Sequence, residues 1–269
     1  AFARKPTLEE LPRYFREQLK KSGLSYQKAF NAATKLISDE ELATAATRKK
    51  EELELFFAMY LFSGRPKYGN LSSSLQKDVK FHFGSVKTIE ENAKNLLFSL
   101  GNEDLIFAAA KEAEKNNLGR LEETKFIFLS KKLPELPIRL RGIINIAEKL
   151  SGKIEDANLI RIHIDTKKVS YLSVDDLETE VLPKITKRTI VDLKQQSVRN
   201  FEHLIPGYEK VLYQRSKFMD ASEKHFKTQK EFDDLLVQEL DFDFLGEGPR
   251  YQEFMLALAE RKIHPPICT

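Results

Sequence analysis

The stretch that decides the fold is NLIRIHIDTKKVSYLSVDDLETEVLPKITKRTIVDLKQQSVRNF, residues 158–201. β-Branched and aromatic residues recur in it between short polar turns, a pattern typical of antiparallel hairpins. The pattern predicts strands at residues 159–164, 169–172, 189–193 and 198–201, and leaves open a fifth within 210–219. The turns lack Asn-Gly and Asp-Gly, so the register of the strands stays open.

The chain on either side of this stretch reads as helix. Thr7 and Ser25 are suited to cap helices, and residues 39–62 carry an apolar face at helical spacing. The sequence pattern predicts two further helices, at residues 221–239 and 248–263. The predicted fold class is therefore α+β: a mainly helical N-terminal region, then a small antiparallel sheet flanked by C-terminal helices.

An internal repeat lies in the helical region, at an offset of 60 residues. Residues 5–37 and 65–97 each read as a basic residue and Pro, a short helix, a Gly-containing turn and a Ser-capped helix. Two copies are too few for a solenoid, so we predict two helix-turn-helix-like repeats. Helical periodicity changes to alternation near Gly152, which predicts two domains, residues 1–152 and 153–269.

Composition excludes several classes of protein. The 269 residues hold 44 Lys and Arg against 41 Asp and Glu, a net charge of +3, so a nucleic-acid surface would need local clustering of cations. No apolar run approaches the ~20 residues of a membrane span, and the N-terminal sequence shows no signal-peptide core. Cys268 is the single cysteine, which excludes an intrachain disulfide and fits a cytoplasmic protein.

Cofactor and metal motifs are missing from the sequence. The chain has neither GxGxxG nor GxxxxGK followed by Ser or Thr, and its five histidines lack HxxxH and HExxH spacing. We therefore predict no cofactor and no metal ion. One group stays open: Asp176, Asp192 and Lys194 have the residue types of a metal-dependent nuclease core. The competing interpretation, which we favour, is a solvated acidic loop between strands.

Basic residues cluster before the third predicted strand, along residues 208–218 and around the second repeat. Lys and Arg at such places can hold phosphates, and a neighbouring aromatic ring can stack on a base. The alternative is ordinary solvated charge, offset by Glu and Asp. The candidate nucleic-acid-binding residues are Arg65, Lys67, Lys77, Lys184, Lys187, Arg188, Tyr213, Arg215 and Lys217.

Several strings also carry a family resemblance, and their order and spacing matter more than any one of them. They are RPKYGNL (65–71), LQKDV (75–79), FGS (83–85), the run from NL to VSYL (158–172), VDL (191–193) and LYQRSKF (212–218). Together the chain resembles bacterial DNA phosphorothioation-associated putative methyltransferases, from about Ala1 to Ile263. The repeats are also similar to small helical repeats that accompany homing endonucleases, with Tyr26 and Val86 at the position of the usual Trp.

The resemblance implies a DNA partner and a place in restriction-modification or antiphage defence. It implies that the chain corresponds to the C-terminal portion of such a protein, without the methyltransferase region, or to a stand-alone relative. A methyltransferase region or another protein of the system would be a further partner. Leu182 and Tyr213 stand where the family has His, which argues against acid-base chemistry at these positions.

We therefore expect a DNA-binding or target-recognition portion of a phosphorothioation-linked protein. Whether this chain catalyses a reaction stays open, and the missing methyl-donor motif favours a chain that does not. An alternative of a different class is a docking module that positions a catalytic partner through a sheet edge or an apolar patch. The metal-dependent nuclease is the third hypothesis.

Overall fold

The computed structural model describes residues 3–64, 68–203, 209–244 and 248–266. The fold is α+β, as predicted, with a helical N-terminal region, an antiparallel curled sheet and C-terminal helices. Two compact units divide the chain, Ala1–Gly101 and Asn102–Thr269. None of the described helices combines the length and the apolarity that crossing a membrane requires.

The first unit is helical and repeats its order of elements. Its helices are α1 (Arg13–Ser22), α2 (Tyr26–Thr34), α3 (Asp39–Phe62), α4 (Ser73–Phe83) and α5 (Val86–Ser99). Short 3-10 helices at Leu8–Glu10 and Tyr68–Asn70 precede α1 and α4 at the same offset of 60 residues. The Ser25 and Ser85 hydroxyls accept hydrogen bonds from the first turns of α2 and α5, which sets where those helices begin.

The core of the first unit comes from α3, α4 and α5. Leu53, Phe57, Val79, Ile89 and Ala93 are buried in it. No side chain of α1 or α2, all of whose residues are described, is buried. The first repeat therefore depends on other contacts to stay attached, and Arg4 provides one of them.

Arg4 joins the start of the first repeat to the second. Its side chain is 5% exposed and its Nε donates to Asp78 Oδ1 of α4 at 2.5 Å. Its two terminal nitrogens donate to the Glu10 carboxylate at 2.9 and 2.7 Å. The guanidinium holds the pKa of Glu10 well below its usual range.

The second unit contains four helices and the sheet within its described residues. The helices are α6 (Glu103–Lys115), α7 (Ile138–Ser151), α8 (Phe226–Glu239) and α9 (Tyr251–Arg261). The strands are β1 (Arg120–Glu122), β2 (Lys125–Leu129), β3 (Leu159–His163), β4 (Lys168–Val174), β5 (Lys184–Asp192), β6 (Ser197–Glu202) and β7 (Lys210–Val211). Further 3-10 helices lie at Ser130–Glu135 and Arg215–Phe218, so the strand sought within 210–219 is only two residues long.

The sheet is antiparallel, and neighbours in sequence are neighbours in space from β1 to β6. β7 pairs with the start of β5. The division predicted near Gly152 differs from the observed one, because β1, β2 and the two helices α6 and α7 belong with the sheet.

The two faces of the sheet differ in chemistry. Phe126, Ile160, Ile162, Val169 and Val191 alternate onto one face and are almost fully buried. Helix α7 packs against strands β5 and β6, and we call this side the helix face. The opposite face carries charged side chains and holds the candidate site.

Candidate functional site

The strand register brings cationic side chains together on the face opposite the helix face. Residues directly opposite each other in an antiparallel pair project to the same side, as do residues two apart along a strand. Each described strand from β1 to β6 contributes one cation to this side. We call this set the basic face; it consists of Arg120, Lys125, Arg161, Lys168, Arg188 and Arg199.

Three rows of paired residues build the basic face. One row runs from Ile127 through Arg161, Ser170 and Ile190 to Arg199. The row on one side joins Lys125, His163, Lys168 and Asp192. The row on the other side joins Leu172, Arg188 and Phe201. Among the described strand residues, the carboxylates on this side are those of Glu122 and Asp192, and each lies beside a lysine: Lys217 at 3.3 Å and Lys168 at 3.5 Å.

Arg161 at the centre was missed by the sequence analysis. It lies between Ile160 and Ile162, which are 3% and 1% exposed on the helix face. Alternation therefore places Arg161 on the basic face, where it is 7% exposed. The signal was present in the strand pattern: one cation among isoleucines predicts a charged position on the second face.

Ser170 lies where the side chains of the basic face converge. Its Oγ is 3.1 Å from His163 Nε2 and accepts a hydrogen bond of 3.4 Å from Arg188 Nη2. Arg161 is its direct partner across the β3–β4 pair. Burial, helped by the charges of Arg161, Arg188 and Lys125, lowers the pKa of His163 to about 4. His163 is therefore neutral at pH 7, and the charge around Ser170 is positive.

A cavity of about 400 Å³ opens on the basic face. The segment 210–218 forms its far side, and Phe201, Phe218 and Ile190 supply apolar walls. Its cationic lining within the described residues is Arg161, Arg188, Lys210 and Lys217. An aromatic or other flat apolar group together with an anion is the kind of ligand that such a lining suits.

Arg188, Lys217 and Tyr213 are the sequence-predicted residues that line this cavity. Tyr213 does so without being free to stack, because it is 8% exposed and its ring contacts Phe254 edge-on at 4.9 Å. Its hydroxyl donates to Pro249 O at 3.0 Å, and burial raises the pKa of the phenol. Tyr213 is therefore packed in the core of the second unit and does not present its ring for stacking on a base.

Arg215, which the sequence analysis named as a nucleic-acid-binding residue, is also buried. It is 1% exposed, and its guanidinium donates to Leu177 O at 2.6 Å, to Glu178 O and to Gln229 Oε1 at 3.0 Å. Gln229 in turn donates to Asp233 Oδ1 at 2.9 Å. Arg215 thus ties the loop after β4 to helix α8, since its donors are directed to protein acceptors.

The remaining predicted cations lie apart from the cavity. Lys187 projects to the helix face, opposite to Arg188, and its Nζ is 3.3 Å from Asp156 Oδ2. Lys184 is exposed at the start of β5. Lys77 is exposed on α4 of the other unit and donates to Thr7 Oγ1 at 3.4 Å. Arg65 and Lys67 lie outside the described residues.

The nuclease hypothesis requires Asp176 and Asp192 to share a metal ion. Asp192 is opposite Lys168 at one end of β4, whereas Asp176 follows Val174 at the other end, roughly 20 Å away for a strand of this length. Asp192 is 3% exposed and accepts from the backbone N–H of Lys194 and Gln195, which lower its pKa. The described residues contain no group of three His, Cys, Asp or Glu suited to a metal ion. Asp176, Asp192 and Lys194 therefore do not form one centre.

Comparison of the chain with family models, with curated proteins and with solved structures finds no match.

Proposed function

We propose that this chain binds DNA through the basic face of its sheet. The observation that carries the proposal is that the six successive strands from β1 to β6 each place one Lys or Arg on the same side. Phosphate groups are the commonest partners of Lys and Arg in protein–DNA complexes, and they set affinity without regard to sequence.

The spacing of the cations supports an extended anionic partner. Adjacent strands lie about 4.8 Å apart, so the cations of β1 and β6 are separated by at most about 24 Å. That span equals roughly seven base steps of a DNA strand. Arg120 and Arg199, on the outermost strands of the described face, are exposed, whereas Arg161 at its centre is buried. A DNA backbone would contact the rim first.

The biological setting is part of the same proposal. The sequence resemblance supports a target-recognition role in a cytoplasmic system for phosphorothioate modification or defence, with this chain acting beside a methyltransferase region or another protein. Catalysis does not enter the proposal.

Fluorescence anisotropy with labelled duplex and single-stranded DNA tests the proposal. Binding should weaken linearly with the logarithm of salt concentration, by ~0.9 per phosphate contact. The double substitution Lys125→Gln and Arg199→Gln should reduce that slope by about 2. Lys187→Gln is the matched control, because Lys187 lies on β5 but projects to the helix face.

Two results would remove the proposal. One is the absence of salt-dependent binding to either form of DNA. The other is an equal loss of affinity in Lys187→Gln and in the double variant, since the basic face would then have no special role.

A docking module remains the second candidate, and one observation favours it. β6 ends the strand order, and its Val198 and Phe201 side chains are 38% and 40% exposed. An edge strand of this kind can add a strand from a partner. Val198→Lys should then abolish binding of a methyltransferase partner while leaving DNA affinity intact, as measured by co-purification and anisotropy. Loss of DNA affinity alone would exclude the docking interpretation.

A further inference from the structure

The cavity on the basic face has walls of two kinds. Arg161 and Arg188 line its strand side, and Phe201, Ile190 and Phe218 line it with apolar surface. We propose that this cavity holds a single nucleotide, with its phosphate at Arg161 and Arg188 and its base against the apolar walls.

The two arginines are arranged to share one anion. Arg188 is two residues before Ile190, the β5 partner of Ser170, yet its side chain reaches back so that Nη2 lies 3.4 Å from Ser170 Oγ. Ser170 is in turn the direct partner of Arg161 on β3. The positive charges of both arginines also lower the pKa of His163, after the larger effect of burial. Guanidinium groups present paired N–H donors that match the oxygens of a phosphate. Ser170 is fully buried and holds the Arg188 guanidinium from within the sheet.

The base side of the cavity begins next to Arg188. Phe201 is its direct partner across the β5–β6 pair, so an aromatic ring stands beside the guanidinium on the same face. Phe201 is 40% exposed as a whole residue, so it is only partly covered by its neighbours. Every base has a flat apolar face that such a ring accepts without regard to sequence.

The volume selects among anionic ligands. About 400 Å³ falls within the range of cavities that enclose small organic molecules, and it far exceeds the space that a phosphate ion occupies. Lys210 adds positive charge to the lining, whereas the charge of Lys217 is offset by Glu122, which also lines the cavity and lies 3.3 Å from it. A nucleoside monophosphate combines the required anion, flat ring and size. Inorganic phosphate would contact only the arginines, and a neutral nucleoside would contact only the apolar wall.

The natural source of this nucleotide depends on the proposed function. If the chain binds DNA, the occupant is a nucleotide turned out of a strand or lying at its end, and this choice of source alone rests on the proposed function. A free nucleotide shares the same chemistry, and competition distinguishes the two sources. Single-stranded DNA displaces bound monophosphate in the first case and leaves it bound in the second.

Isothermal titration of the full chain with each deoxynucleoside monophosphate tests the site. At least one monophosphate should bind about tenfold or more tightly than the matching nucleoside and than inorganic phosphate. Arg188→Gln and Phe201→Ala should each weaken it by about tenfold or more, and Lys187→Gln should not. Phe201→Ala is included because Phe201 is part-exposed on an end strand, so its truncation leaves the core intact.

The outcomes separate this inference from the proposed DNA binding. If no monophosphate binds at millimolar concentration while salt-dependent DNA binding persists, the nucleotide site is overturned and DNA binding stands. If monophosphates bind through Arg188 and Phe201 but DNA does not, the site stands and the proposed function falls. Binding of inorganic phosphate as tight as that of every monophosphate also overturns the nucleotide site, because the apolar walls would then contribute nothing.

Discussion

His163 is a residue whose ionisation responds to its burial and to the charge of the basic face. Its pKa of about 4 lies below the value of about 6.5 for an unfolded chain. Between these values the unfolded chain binds a proton that the folded chain does not, so stability falls as pH drops from about 6.5 to 4. The ring is partly solvated, so we expect a loss of about 1 to 2 kcal/mol.

His163→Gln removes this titration while keeping a partner for Ser170. The unfolding free energy of the parent should therefore fall by about 1 to 2 kcal/mol more than that of His163→Gln between pH 7 and pH 4.5. Urea unfolding at both pH values measures it. A difference that stays constant across this range would mean that neither burial nor the cations of β2, β3 and β5 lower the pKa of the ring.

For individual residues, the sequence predicts the side to which a side chain projects better than it predicts the groups that the side chain contacts. Alternation places Arg161 opposite Ile160 and Ile162, and this could be predicted. Arg215 looked like a phosphate contact because it is a cation among aromatic residues. Its acceptors at Leu177 and Gln229 lie 38 and 14 residues away, and no local pattern predicts such distant pairing.

Among elements, the first repeat is the part held by the fewest buried side chains. Because no side chain of α1 or α2 is buried, the Arg4 contacts to Glu10 and Asp78 carry much of its attachment. Arg4→Gln should destabilise α1 and α2 by about 3 kcal/mol, since it leaves two buried carboxylates without their guanidinium. Amide exchange across residues 13–34 measures this directly.

Arg13→Gln is the control for that experiment. Arg13 forms an exposed pair with Glu17 at 2.8 Å, and such a pair contributes about 0.5 kcal/mol or less. If the two substitutions accelerate exchange in α1 and α2 equally, the buried network does not hold the first repeat in place.

Element prediction succeeded where periodicity or capping was strong. Helix α3 runs from Asp39 to Phe62 as predicted, with a capping box between Ser38 and Glu41 at its start. β2 was missed because Phe126, Ile127 and Phe128 are buried on both faces of the sheet, which removes alternation. The hairpin turns gave little help, since Glu123, Lys167 and Gln196 adopt positive φ without being Gly or Asn.

For the whole molecule, the predicted and observed positions of the domain boundary differ. The change of periodicity near Gly152 predicted a second domain of residues 153–269. In the structure α6, α7, β1 and β2 belong to the sheet unit, because β2 pairs with β3 and α7 packs on β5 and β6. A change from helix to strand marks a new element, but only long-range pairing shows whether it also marks a new domain.

Two fragments test this boundary together with the location of DNA binding. Residues 102–269 contain the complete basic face and should unfold cooperatively and keep the salt slope of the full chain within about one phosphate contact. Residues 153–269 lack α7 and β2, so Ile160, Ile162 and Val169 would be exposed to water and the fragment should show no cooperative transition. Circular dichroism during heating and anisotropy with DNA measure both. Cooperative unfolding of 153–269 would restore the boundary at Gly152, and a DNA affinity found only in 1–101 would move the binding surface from the sheet to the helical repeats.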